Sequence, residues 1–417
     1  MISKIRGTRD ILDTKVLWSV MATIKKQLEM YHFQEIVLPI LEPVALFHRS
    51  LGNETDVVSK EMFIVRSSAQ QDQEDEICLR PEATASTVRA FVENGIQITP
   101  WKVFTWGSMF RYERPQKGRF REFYQCSLEV IGSASVMQDV QLMVMLDRLF
   151  AEKFNLDEYA LHINFLGCPD DRHAFKKVLQ KFLHTHQEVI CATCQQRSHT
   201  NVLRVFDCKQ EACQFLYKKA PSLIDSLCQT CTHEWQQVQK TLAQLSVSYV
   251  HNSRLVRGLD YYNKTVFEFV SPLLGSQSAF CGGGRYDHLV SLVGGKEDQP
   301  SLGAAIGIDR LLMVLEAADK TPALHVKPLY VIVPLSAKEQ TVALHVADHL
   351  MHKGFTTDVL FDGSIKTMMK KANKYGARAV LVLGEQEIID GTVTVKDMIT
   401  GTETVVKQID VAHHLPQ

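Results

Sequence analysis

Apolar residues at Leu17, Val20, Ile24, Leu28 and Tyr31 recur at three-to-four spacing, so residues 13–31 predict an amphipathic helix that Asp13 or Thr14 can cap. The pattern then changes to FQEIVLPILEP, a strand interrupted at Pro39. A proline inside a strand belongs at an edge or a distortion. The polar stretch SSAQQDQEDE (67–76) reads as a loop without core candidates, and ICLRPEATASTVRAFVE as an apolar strand that turns into a helix at Pro81. Next come WKVFTWGSMFRYE and RFREFYQCSLEVIG, two strands joined by a basic hairpin loop, because Pro115 and Gly118 exclude a continuous helix there. A helix with Val140, Met143, Leu146 and Phe150 on one face follows.

From 169 to 247 the text is helical and rich in Gln, Lys and His, which sets an inserted helical unit inside a first domain of residues 1–320. Strand character returns in HNSRLVRGLDYYNKTVFEFV, and SLGAAIGIDRLLMVL runs from small residues into an apolar helix. Residues 316–328 form a linker. Beyond it LYVIVPL, a helix over 338–353, TTDVLF, a helix over 365–376, RAVLVLG and TVTVKDM alternate as strand and helix. That regular alternation predicts a compact α/β domain over 328–417, with a mixed or parallel sheet.

Composition narrows the picture. A chain of 417 residues suits two or three domains at roughly 150 residues each. Lys plus Arg number 46 against 47 Asp plus Glu, so a polyanion has to meet local patches and not a global basic field. The polar, charged start MISKIRGTRDILDTK excludes a secretory signal, and no apolar run approaches the ~18 residues of a membrane span. Ten cysteines without an export signal indicate reduced thiols, and a soluble cytoplasmic protein is expected.

Several stretches carry candidate chemistry. The hairpin loop holds Arg111, Arg114, Lys117, Arg119 and Arg121 among aromatics, with guanidinium forks for phosphates and rings for a base; a solvated edge hairpin is the plain alternative. Glu82 and Thr84 stand at a strand-to-helix corner, where they can also serve simply as caps. Arg257 with Tyr261 and Tyr262 looks like a pocket wall. The glycines of FCGGGRYD permit close backbone approach to a ligand. Arg310, the lone cation of an apolar helix, calls for an anionic partner or a purine face. Cys191-x-x-Cys194 and Cys228-x-x-Cys231, with Cys208, Cys213 and His233 near, have zinc-like spacing; two such pairs can close a tetrahedral site, or the thiols can act as small apolar residues in a helical module. Lys366, Lys370, Lys371 and Lys374 form a basic helix face that suits RNA or plain solvation.

Taken in order, these stretches resemble the bacterial-type histidyl-tRNA synthetases, class II aminoacyl-tRNA synthetases, along nearly the whole chain. The broken strand through Pro39, FRYERPQKGRFREF and GAAIGIDRLLMVL look like the three class II motifs, and LVRGLDYYNKTVFEF and CGGGRYDHL like the two histidine-specific ones. The resemblance implies an α+β catalytic domain, an antiparallel sheet flanked by helices, with a helical insertion and a C-terminal α/β anticodon-binding domain. It implies histidine, ATP and tRNA(His) as substrates, Mg²⁺ with the nucleotide, and a homodimer.

Carried over by position, Arg111 grips the α-phosphate and Glu113 lies near the adenine or the tRNA end. Arg119 meets the γ-phosphate side, and Phe123 and Arg310 sandwich the adenine. Glu82, Thr84 and Gln125, with Arg111, hold the histidine α-groups. Glu129 and Tyr262 bracket the imidazole with Tyr261 beside them, and Arg257 stabilises charge at the reacting carboxylate. Arg114 and Gln116, at the loop tip, face the tRNA acceptor end. The insertion is associated with clamping tRNA in this family, so the resemblance implies no metal among the cysteines.

The main alternative is the non-catalytic regulatory paralogue that partners ATP phosphoribosyltransferase in histidine biosynthesis, which is expected to lack the C-terminal domain and key arginines that this chain keeps. A factor that binds RNA without making an adenylate is disfavoured by the same arginines. One departure stands out: the turn usually written Glu-Gly-Thr reads Glu82-Ala83-Thr84, which strains the backbone if that position needs a positive φ.

Overall fold

The computed structural model describes residues 2–52, 55–66, 76–323 and 327–416; the polar loop expected at 67–76 lies, apart from Glu76, outside them. Two compact units divide the chain, Met1–Pro322 and Ala323–Gln417.

In the first unit the opening helix runs Lys15–Met30 and buries Leu17, Val20, Ile24 and Leu28. Of the two capping candidates, only the Asp13 carboxylate accepts a helix N–H, from Lys15 at 3.1 Å. The Pro39 segment is not one distorted strand. It splits into β1 (Gln34–Glu35) and β2 (Leu41–Pro43), which enter different sheets. The Arg80 guanidinium fills the break, donating to the carbonyls of Leu38 (3.2 Å), Pro39 (3.4 Å) and Ser108 (3.2 Å). Proline cannot donate to a ladder, so a buried cation takes over the freed carbonyls.

The remaining strands of this unit are β3 (Phe63–Val65), β4 (Ile77–Leu79), β5 (Trp101–Phe110), β6 (Glu122–Ile131), β7 (Ala160–Phe165), β8 (Val250–His251), β9 (Asn263–Val270), β10 (Ala279–Arg285) and β11 (Ser301–Gly307). The main sheet has the order β1-β5-β6-β11-β10-β9-β7-β8, antiparallel from β5 through β7 with parallel edges at β1 and β8. A smaller sheet, β2-β4-β3, lies apart from it.

Strand periodicity sorts the middle of the large sheet into two faces. On β6, Cys126, Leu128 and Val130 join a core with Leu302, Ala304 and Ile306 of β11, with Val140, Met143 and Leu146 of the helix Val136–Arg148, and with Phe150 of the turn Leu149–Lys153 that follows it. The alternate residues Phe123, Gln125 and Glu129 are left for the other face. Between β7 and β8 the chain forms the inserted helices Pro169–Thr185, Ala192–Thr200, Glu211–Tyr217 and Gln229–Gln244.

The second unit contains β12 (Leu329–Pro334), β13 (Thr356–Val359), β14 (Ala379–Leu383), β15 (Thr392–Asp397) and β16 (Glu403–Lys407) in the order β13-β12-β14-β15-β16. β12 is parallel to both neighbours, whereas β14, β15 and β16 are antiparallel, so the sheet is mixed. Strand β16 has no counterpart in the sequence reading: ETVVK is an edge strand that buries only Val406, too little to leave a period-two signal.

Candidate active site

Register puts the candidate site residues of β6 on the face of the sheet opposite that core. Gln125 of β6 lies across from Gly107 and Gly307, and Glu129 across from Val103 and Gly303. The small residues of β11 therefore clear space over β6: a Cβ at Gly303 would run into the Glu129 carboxylate. The glycines of β10 make room for other protein groups. A Cβ at Gly282 would sit 2.6 Å from the Arg257 guanidinium, and one at Gly284 2.6 Å from the Thr265 carbonyl and 2.9 Å from the Tyr262 ring. Gly282 and Gly284 thus make room for Arg257 and Tyr262, whereas Gly283 makes room for the backbone of Gly303 and Ala304 on β11.

The helix Thr84–Glu93 begins over this face. Glu82 caps it, accepting from the N–H groups of Thr84 (2.7 Å) and Ala85 (2.8 Å). Thr84 does not cap; its hydroxyl donates to Glu129 Oε1 at 2.7 Å. The Ala83 question resolves simply, since its φ is −111° and the methyl meets no left-handed strain.

Glu129 is fully buried, and Tyr286 donates a short hydrogen bond to its other oxygen. Burial pushes the Glu129 carboxyl up to about 8; the Tyr286 and Thr84 hydroxyls oppose that shift, and the nearby Glu82 adds to it. Burial also raises Glu82, against the pull of the two helix N–H groups and of Arg111. Above Glu129 three buried rings pack together: Tyr261 on Tyr262 with centroids 4.5 Å apart, and each against Tyr286 at 5.6 and 6.5 Å.

The cations divide into two groups. Arg257 is paired with Glu268 of β9 and lies over the Tyr262 ring at 5.6 Å. Its Nε and the Gln125 Oε1 atom are buried without a hydrogen-bond partner among the described residues. Arg111 donates to the Pro81 carbonyl at 2.9 Å and sits 5.4 Å over the Phe123 ring. The expectation of an anion for Arg310 is not met by the protein: its guanidinium donates to the carbonyls of Gly118 (2.9 Å) and Ala279 (2.8 Å), which ties the last helix of the unit to the hairpin tip. In that tip Arg119 is ion-paired with Glu113 at 2.5 Å, and residues 116 and 119 close a tight turn. Arg114 and Gln116 are exposed.

Arg285, which follows the glycines, is structural. It is fully buried and bonds Asp139, Asp287 and the carbonyls of Ser133 and Ser135. Removing one partner of such a pair costs about 3–5 kcal/mol.

Four residues that the sequence reading missed complete the arrangement. Tyr286 and Glu268 hold Glu129 and Arg257, and neither is legible from spacing, because Tyr286 works through a partner on β6 and Glu268 through one in the loop before β9. Arg204, from the insertion, reaches Asp260 at 3.1 Å and also donates to the Gly258 carbonyl. Asn201 joins it, donating to both Asp260 oxygens at 3.0 and 3.1 Å. The inserted helices thus brace the loop that carries Arg257, Tyr261 and Tyr262.

The model of the family described as "Histidyl-tRNA synthetase" matches residues 7–311, and that of an "Anticodon binding domain" matches 330–416. A histidine--tRNA ligase of Desulfatibacillum aliphaticivorans is 42% identical over 405 residues, 96% of this chain and 95% of that protein. The enzyme of Aquifex aeolicus is 39% identical over 412 residues, 97% and 98% of the two chains. The crystal structure of apo Staphylococcus aureus histidyl-tRNA synthetase superposes with a TM-score of 0.82 at 29% identity, each chain covered in full. The chain belongs to the histidyl-tRNA synthetase family.

Proposed function

We propose that this protein activates histidine with ATP to histidyl-adenylate and transfers the histidyl group to the 3′ end of tRNA(His). The observation that carries the reading is the buried Glu129 beneath three tyrosines, with Arg257 and Arg111 on the same face. Such a site can read an imidazole and hold an α-phosphate at once.

Adenylate formation is attack of the histidine carboxylate on the α-phosphate, expelling pyrophosphate. It needs in-line placement and cations on the equatorial oxygens, with little covalent help. Arg111 serves the α-phosphate, and Arg257, fixed by Glu268, serves the reacting carboxylate and the same phosphate. Phe123 and Arg310 take the adenine between them. Gln125, Glu82 and Thr84 receive the histidine α-groups, and Glu129 with Tyr262 receives the two imidazole nitrogens, Tyr261 packing beside them. A site of buried polar partners leaves those partners unpaired around an apolar analogue, so selection for histidine needs no editing step.

Arg119 and Glu113, paired with each other, part to meet the γ-phosphate side and the nucleotide. Bound with ATP, Mg²⁺ would supply neutralising charge for the pyrophosphate. The donor set beside Arg111 and Arg119 fits a hard cation that takes most of its ligands from phosphate. It comprises the carboxylates of Glu113 and Glu61, the latter raised by burial and by repulsion from Glu113. The exposed Arg114 and Gln116 face the acceptor end of the tRNA, and the second unit takes the anticodon. A cytoplasmic homodimer is the expected form. The regulatory reading is not favoured, because the chain matches histidine--tRNA ligases along its whole length.

The test is histidine-dependent ATP–pyrophosphate exchange, followed by charging of tRNA(His). Exchange that histidine triggers and other amino acids do not is expected. Folded protein that exchanges nothing, yet stimulates an ATP phosphoribosyltransferase, would restore the regulatory reading.

A further inference from the structure

The cysteines of the insertion do not meet as the sequence spacing suggests. Cys191 and Cys194 gather with Cys208 and Cys213, all four sulfurs lying within 4.8 Å of one another; Cys228 and Cys231 gather instead with Cys168 and Asp171. His233 is exposed and belongs to neither group.

In the first group the geometry suits an ion. Cys191 Sγ and Cys208 Sγ are 3.8 Å apart, beyond any disulfide. Four sulfurs placed about 2.3 Å from a central zinc stand roughly 3.8 Å from each other. Backbone N–H groups also aim at the sulfurs: Cys191 N–H donates to Cys213 Sγ at 3.2 Å and Gln210 N–H to Cys208 Sγ at 3.4 Å. Donors of this kind stabilise thiolates and orient them as ligands. Thiols acting only as small core residues need neither convergence nor N–H donors.

The second group differs. Both Asp171 oxygens are already engaged, accepting from the N–H groups of Cys168 (3.2 Å) and Cys228 (2.8 Å), so its carboxylate serves as a backbone hub.

We propose that Cys191, Cys194, Cys208 and Cys213 hold one structural Zn²⁺ in a closed tetrathiolate site. Soft thiolates in tetrahedral array select zinc over hard cations, and four protein ligands leave no open position for catalysis. Binding releases the thiol protons to solvent. The site closes the loop between its two ligand pairs, and that loop carries Asn201 and Arg204, the brace on Asp260. The ion therefore fixes the edge of the insertion that supports residues 257–262.

The full-length protein, purified without chelator, is analysed for metals beside Cys208→Ser and Cys228→Ser variants. Wild type should carry zinc, Cys208→Ser should lose one equivalent per chain, and Cys228→Ser should lose none. Metal-free wild type with its thiols fully titratable, iron in place of zinc, or a zinc content unchanged by Cys208→Ser overturns the proposal. Should Cys208→Ser fail to fold, Co²⁺ exchanged into wild type decides. Intense sulfur-to-cobalt absorption with tetrahedral d–d bands is expected, and its absence overturns the site. Neither readout depends on the synthetase activity.

Discussion

Glu129 has a burden that should be visible in solution. Its carboxyl is pushed up to about 8 from an ordinary 4.5, so its favourable contribution to folding is complete only below about 4.5 and is lost as pH rises through 8. Glu129→Gln lacks that loss. Thermal melts of the two proteins, compared from pH 5 to pH 9, should show the variant gaining on wild type up to about pH 8 and holding a constant difference above it. A difference that does not change with pH would mean the carboxylate is solvated. Arg257 gives a second residue-scale expectation. Loss of one transition-state donor costs about 10²–10³ in rate. Arg257→Ala should therefore slow pyrophosphate exchange by that factor while ATP affinity, measured by calorimetry, changes little. Near-normal exchange would remove its assigned part.

Elements place these residues through strand register, and the glycines report it. The added methyl of Gly282→Ala would meet the movable end of Arg257, whereas that of Gly303→Ala would meet both the Glu129 carboxylate and the Leu128 carbonyl at 2.8 Å. Gly282→Ala should consequently keep its melting temperature and lose exchange rate. Gly303→Ala should lose stability as well, about 1–3 kcal/mol for an overpacked core position. Equal melting temperatures for the two variants would refute the distinction. The hairpin itself was legible as an element, since Pro115 and Gly118 forbid a helix and the flanks alternate. Its tip contacts were not: Arg119 on Glu113 and Arg310 on Gly118 depend on how the turn folds back and on a helix nearly two hundred residues away.

At the scale of the whole molecule the proposed site and the anticodon-domain match fall in different units. All the residues assigned to ATP and histidine lie in the unit Met1–Pro322, and the anticodon-domain match lies in the other. A chain ending at Pro322 should keep histidine-dependent exchange and lose most charging of tRNA(His), scored by aminoacylation at fixed tRNA. In the second unit Lys366, Lys370, Lys371 and Lys374 are all exposed, while Met368 and Ala372 of the same helix are buried, leaving a basic face toward solvent.

By itself the sequence determined most of the succession of helices and strands, β16 and the split at Pro39 excepted, together with the inserted helical unit, the family and the chemical type of most proposed site residues. Those properties are local: apolar period, breakers, and short motifs that carry their own spacing. Only the tertiary structure decided partners. Tyr286 on Glu129, Glu268 on Arg257, Arg80 in the Pro39 break, and the meeting of Cys191 and Cys194 with Cys208 and Cys213 all join residues whose separation along the chain carries no period. The hydrophobic pattern specifies which face of an element is buried. It does not specify which buried polar group will satisfy another, because that depends on strand order and register across the sheet.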